Sequence, residues 1–190
     1  MSLPRRWNPR FASLSALTAA SALALGACGS STTEPQAAAP AAPESVSVDG
    51  QEVEVPNELR FAAETLEGQP VNGSDYLGQD TVFWFWAPWC PVCQREAPHV
   101  ADAAEDYGSE VDFVGVAAQD SAEAMQEFVD KYDVGAFSHI NDANAAVWAG
   151  FGVTQQPAFA FVSDSGEIDV VRGTLSPDEL TERLDTLTRN

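Results

Sequence analysis

The run TVFWFWA, residues 81 to 87, carries no charge and is built almost entirely of β-branched and aromatic side chains. A continuous apolar run, rather than an alternating one, is the pattern of a central strand covered on both faces. Pro88 closes it, because proline has no N–H to give to a ladder. The next segment, PWCPVCQREAP, places two of the chain's three cysteines, Cys90 and Cys93, at the turn out of this strand. A helix is predicted from about Pro91 to Tyr107, stopped by Gly108.

Further elements are closely spaced along the chain. LRFAAETLEGQPVN (59 to 72) predicts a hairpin with Glu67-Gly68 near its turn, and a brief helical turn is expected over Ser74 to Leu77. VDFVGVAA (111 to 118) reads as a second buried strand, and SAEAMQEFVDKY (121 to 132) as an amphipathic helix with Ser121 as N-cap. NAAVWAGFG (144 to 152) is a short helix. AFAFV (158 to 162) and IDVVRG (168 to 173) are strands joined by the turn SDSG. The last helix opens on SPDE at Ser176, with an N-cap, a proline at the first helical position and an acid at the third. Strand, helix, strand, helix, strand hairpin and helix describe a three-layer α/β domain whose last two strands are antiparallel.

Three chemistries are open to the cysteine pair. A structural disulfide across two residues closes a tiny loop and removes little chain entropy. Zinc would need His99 and His139, the only histidines, and the spacing matches no known knuckle or ribbon. The third is a redox couple. With Pro91 as the first helical residue, Cys90 becomes the N-cap, its sulfur placed to accept from the N–H groups of Val92 and Cys93. The helix dipole favours thiolate over thiol there, so Cys90 is expected to attack. Cys93 lies one turn in, less exposed and close enough to close the disulfide.

The N-terminus adds a compartment. Residues 1 to 27 hold Arg5, Arg6 and Arg10 followed by an apolar, small-residue stretch, the form of a secretory signal. It ends in LGAC, which resembles a bacterial lipobox with Cys28 as the lipidated residue. Residues 28 to 52, rich in Ala, Pro and Ser, read as a flexible tether, and 53 to 190 as the folded domain. The chain is thus expected outside the cytoplasm, held by its lipid to the outer face of the membrane or else secreted. A formal charge of -20 argues against nucleic acid and anionic headgroups as partners.

FWAPWCPVCQREAP resembles the Trp-Cys-x-x-Cys segment of the thioredoxin superfamily, and most of all the exported branch of TlpA, ResA and the DsbE- and DsbF-like proteins. The resemblance spans about residues 53 to 190. It implies a thioredoxin-like fold, a central mixed sheet flanked by helices with an extra N-terminal β-hairpin. It implies thiol–disulfide exchange through Cys90 and Cys93 without cofactor or metal. Trp89 matches the tryptophan flanking the site, against the alternative of a plain core aromatic, and Pro91 lies between the cysteines. Pro98 matches a helix-bending proline that leaves the carbonyl of Gln94 without a partner. GVTQQPAF matches the loop whose proline is cis, here Gln156–Pro157, with the backbone of Gln156 turned toward a bound substrate segment. Glu96 matches an acid that tunes the cysteines, against the alternative of a solvated helix glutamate. His99 and His139 are expected on the surface or in loops. One departure is Trp84, which stands where cytoplasmic thioredoxins carry a buried, proton-relaying aspartate.

The expected function is therefore extracytoplasmic oxidation of exported protein thiols, with a membrane partner resetting the couple. Two rivals are a dedicated reductant, as in cytochrome c maturation, and a metal-binding or copper-delivery protein. The peroxiredoxin pattern Pro-x3-Thr-x2-Cys is absent.

Overall fold

The computed structural model describes residues 43–48 and 50–189. The signal segment, Cys28 and most of the tether lie outside them. In chain order the elements are β1 Ser45–Val48, β2 Gln51–Glu54, a 3-10 turn Asn57–Leu59, β3 Ala62–Glu64, β4 Pro70–Asn72, a 3-10 turn Gly73–Tyr76, and β5 Thr81–Trp86. Then come α1 Pro91–Tyr107, β6 Asp112–Ala118, α2 Ala122–Tyr132, β7 Ser138–Asp142, α3 Ala146–Gly150, β8 Ala158–Val162, β9 Ile168–Arg172 and α4 Pro177–Leu187.

Five strands form one mixed sheet in the order β7-β6-β5-β8-β9. Strands β5, β6 and β7 are parallel, and β8 and β9 run antiparallel to their neighbours. All six residues of β5 are buried, as its unbroken apolar run requires. The crossovers β5-α1-β6 and β6-α2-β7 step the same way along the sheet. Right-handed connections then lay both helices on one face. There they meet α4 around Trp84, Trp86, Val100, Phe128 and Leu184. The opposite face packs Phe83, Phe85, Val116 and Ile140 against α3 through Val147, Trp148 and Phe151. This is the thioredoxin-like three-layer fold.

Two features depart from the expectations above. An antiparallel hairpin, β1–β2, turns at Gly50 with φ 79°, so paired structure begins inside the span assigned to the tether. The signal was available: Asp-Gly between the alternating runs SVSV and QEVE. The second is β7, SHIND, which has no apolar run to announce it. It is an edge strand covered by the β3–β4 hairpin, with Leu66 N–H donating to the His139 carbonyl at 2.8 Å and a bridge from Thr65 to Ile140. That cover protects an edge that would otherwise present free backbone groups.

His139 consequently is not a surface or loop residue. It is 1% exposed, with Nε2 donating to the Val134 carbonyl at 2.8 Å and Nδ1 accepting from Trp86 Nε1 at 3.3 Å. His99 is exposed on α1, as expected.

Candidate active site

Strand β5 delivers the chain to Ala87 and Pro88, and the Cys90 N–H donates back to the Ala87 carbonyl at 3.1 Å. Gln94 Nε2 donates to the Pro88 carbonyl at 2.9 Å and pins the turn from the helix side. Cys90 is the N-cap of α1, with Pro91 opening the helix. Its Sγ accepts from the Cys93 N–H at 3.1 Å, one of the two backbone donors anticipated for it. Both cysteines are free thiols in the structure. Cys93 is fully buried, and Cys90 is nearly so at 4%, which is more enclosed than a capping position alone suggests. Burial pushes the Cys93 thiol far above its ordinary range, and its hydrogen bond with Cys90 and the charge of Glu96 push the same way.

Glu96 lies one turn beyond Cys93 and is 3% exposed, so it is not a solvated helix glutamate. Its Oε2 accepts from Trp84 Nε1 at 2.9 Å. Its Oε1 accepts from Thr174 Oγ1 at 2.6 Å and from the Leu175 N–H at 3.0 Å. Burial raises the Glu96 carboxyl above its ordinary value, and these three donors only partly offset that. Trp84, standing where cytoplasmic thioredoxins carry a buried acid, thus holds a buried acid supplied by the next helix.

The Gln156–Pro157 bond is cis. In the register of β5 with β8, Phe85 faces Ala158, so Pro157 lies beyond the same sheet end as the cysteine turn. The end of β9 and the segment after it clamp this loop and Glu96 together. Arg172 Nη2 donates to the Gly152 carbonyl and the Gly173 N–H to the Pro157 carbonyl, each at 3.0 Å. Thr174 and Leu175, next in the chain, hold Glu96. The sequence reading missed all four residues. They lie 78 and 79 positions from Glu96 in the two direct contacts, and no local pattern reports such a pairing.

Trp89 is not a core aromatic. It is 52% exposed, the one large apolar side chain left exposed among the described residues. Its indole Nε1 donates to the Gln119 carbonyl at 3.2 Å. Of the candidate zinc ligands, His139 is committed to Trp86 and Val134. Among the described residues no group of three or more His, Cys, Asp or Glu is placed to hold a metal ion.

A family model described as the AhpC/TSA family matches residues 54–171. The soluble secreted antigen MPT53 of Mycobacterium tuberculosis is 41% identical over 133 residues, covering 68% of this chain and 76% of that protein. The thiol-disulfide oxidoreductase ResA of Oceanobacillus iheyensis is 30% identical over 125 residues, 65% of each chain. Among solved structures, MTB DsbF in its mixed oxidised and reduced forms is 55% identical with TM-score 0.69, covering 70% of this chain and 99% of that one. A secreted M. tuberculosis disulfide oxidoreductase homologous to E. coli DsbE is 41% identical with TM-score 0.65, covering 68% and 98%.

Proposed function

This chain belongs to the AhpC/TSA family, and we propose that its reactive centre is the Cys90–Cys93 couple, oxidising the thiols of exported proteins outside the cytoplasm. It is a thiol–disulfide oxidoreductase of the DsbE, DsbF and ResA type. The observation that carries the oxidising direction is the Cys93 N–H donated to Cys90 Sγ at 3.1 Å, at the N-terminus of a 17-residue helix. A backbone donor aimed at that sulfur supports the reduced couple, and a couple whose reduced form is stabilised gives its disulfide away.

In the reaction a substrate thiolate attacks Sγ of Cys90 in the Cys90–Cys93 disulfide. The S–S bond breaks, a mixed disulfide forms, and Cys93 leaves as a thiolate that takes up a proton. A second substrate thiolate then attacks the substrate sulfur of the mixed disulfide and releases Cys90. Two electrons pass from substrate to protein, one disulfide is made and one is lost. Gln156 and Pro157 border the approach to Cys90, and Glu96 sets the charge felt by Cys93. A membrane redox partner returns the couple to the disulfide.

The relatives named secreted support an exported chain. Residues 1–27 serve as a lipoprotein-type signal and Cys28 as the lipid anchor, and the tether ends where β1 begins. Among the described residues no helix is long and apolar enough to cross a membrane. Intact mass of the membrane-extracted protein should carry a diacylglycerol adduct on Cys28; an unmodified N-terminus overturns the anchor.

A second reading, a dedicated reductant, is favoured by the buried Glu96 carboxylate, which can take a proton from the neighbouring thiol pair. The reduction potential decides between them. Equilibrated against glutathione, the oxidant should sit near about -120 mV, whereas a value at or below about -270 mV makes the dithiol the useful form and overturns the oxidising direction.

A further inference from the structure

Trp89 lines a cleft of about 250 Å³ together with Pro88, Asp120, Glu127, Lys131 and Tyr132. Its ring is half exposed, with one edge anchored by the bond from Nε1 to the Gln119 carbonyl at 3.2 Å. Gln119 itself is held in the left-handed region at φ 65°. Lys131 does not pair with Glu127 one turn before it. Its ammonium lies over the Tyr132 ring, 5.0 Å from the centroid. Among the described residues neither Asp120 nor Glu127 makes an ion pair. The cleft therefore offers aromatic and proline walls and two exposed carboxylates without an ion-pair partner, of which Asp120 already accepts the Ser121 N–H through Oδ1 at 2.8 Å.

We propose that this cleft receives an arginine side chain of the polypeptide substrate, close in sequence to the cysteine that reacts with Cys90. The inference rests on the redox role given to Cys90 above and names the substrate class of that same site. An arginine fits both parts of the cleft. Its aliphatic stem covers Pro88 and the Trp89 face, and its planar guanidinium stacks on an aromatic ring while donating to carboxylates. Lys131 over Tyr132 shows one such cation–ring contact already made in this cleft. The chain as a whole, with 29 acidic against 9 basic residues, draws cationic segments in, and the cleft fixes one of them beside the sulfur.

The test measures second-order exchange rates between the oxidised mature chain and three peptides bearing Arg, Gln or Glu on both sides of a single cysteine. Each rate is divided by that peptide's rate with hydroxyethyl disulfide, which cancels its intrinsic thiol reactivity. The expected Arg-to-Gln ratio is about tenfold at low salt. It should fall toward one in Asp120→Asn/Glu127→Gln and remain in Glu64→Gln/Glu105→Gln, which removes the same charge from exposed positions elsewhere. Because the ratio is taken within one preparation, a partly unfolded variant does not distort it. Equal rates for all three peptides overturn the proposal, as does a ratio that survives Asp120→Asn/Glu127→Gln. Dithiothreitol separates the two levels. Fast exchange with dithiothreitol and no peptide preference leaves the redox reading standing and the cleft refuted, whereas no exchange with dithiothreitol refutes both.

Discussion

Trp84 Nε1 and Glu96 Oε2 meet across 2.9 Å of core, so the strand before the cysteines and the helix after them share one buried carboxylate. Burial raises that carboxyl above its ordinary value in the folded chain. Above the unfolded value of 4.5, the folded state then keeps the proton longer than the unfolded one. Glu96 consequently lowers stability as pH rises from about 4.5 through its folded value, and the cost is fully present above it. Glu96→Gln removes this slope. Urea midpoints of the two proteins, taken from pH 4 to 8, should diverge across that window. The variant also places an amide NH2 or a lost acceptor against Trp84, which should cost about 1–3 kcal/mol at the acid end. Parallel pH curves would show that the Glu96 carboxyl titrates alike in the folded and unfolded chains, against the raised value that burial gives it.

His139 has the opposite sign. Burial lowers its imidazole from 6.5 to about 4, and Nδ1 cannot accept from Trp86 once protonated. Between these values the unfolded chain binds the proton and the folded chain does not, so stability falls as pH drops from about 6.5 to about 4. The expected loss is about 3 kcal/mol. His139→Gln should flatten this limb of the urea-midpoint profile. Equal limbs in the two proteins would mean that the imidazole stays accessible.

Gly115 lies between His139 and Trp84 in the sheet register. A Cβ there would run into His139 Nδ1 and stand 2.9 Å from Trp86 Nε1. The position therefore needs the missing side chain for space, not for backbone freedom. Gly115→Ala should cost about 3 kcal/mol or more, since two rings in a packed core must move. A thermal midpoint within a degree or two of the parent would contradict the packing around the Trp86–His139 contact.

Much of this was legible because the signals are local. The unbroken run at 81–87 announced β5, and SPDE announced α4, whose capping box closes with the Glu179 N–H donating to Ser176 Oγ and the Ser176 N–H donating to Glu179 Oε2. Cys90, Pro91 and Cys93 fell where strand-to-helix geometry puts them. Apart from the β1–β2 hairpin, whose Asp-Gly turn is a local signal, what stayed hidden was non-local. β7 owes its place to β6 on one side and a hairpin on the other, and its only aliphatic residue is Ile140. Thr174 and Leu175 find Glu96 only after β9 returns beside β8.

The two sulfurs should separate cleanly in their reactivity. Cys93 is fully buried, and its thiol is held protonated by burial, by its bond with Cys90 and by the nearby Glu96 charge. Cys90 caps the helix and retains a small exposed surface at 4%. With Cys93 closed off by burial and held as the unreactive thiol, iodoacetamide at pH 7 should label Cys90 alone in the reduced, folded protein. Cys93 should react only after denaturation. Peptide mapping by mass reads both sites in one experiment, with Cys90→Ser as the control in which folded-state labelling disappears. Comparable labelling of Cys93 before denaturation would place the wrong sulfur at the head of the exchange reaction.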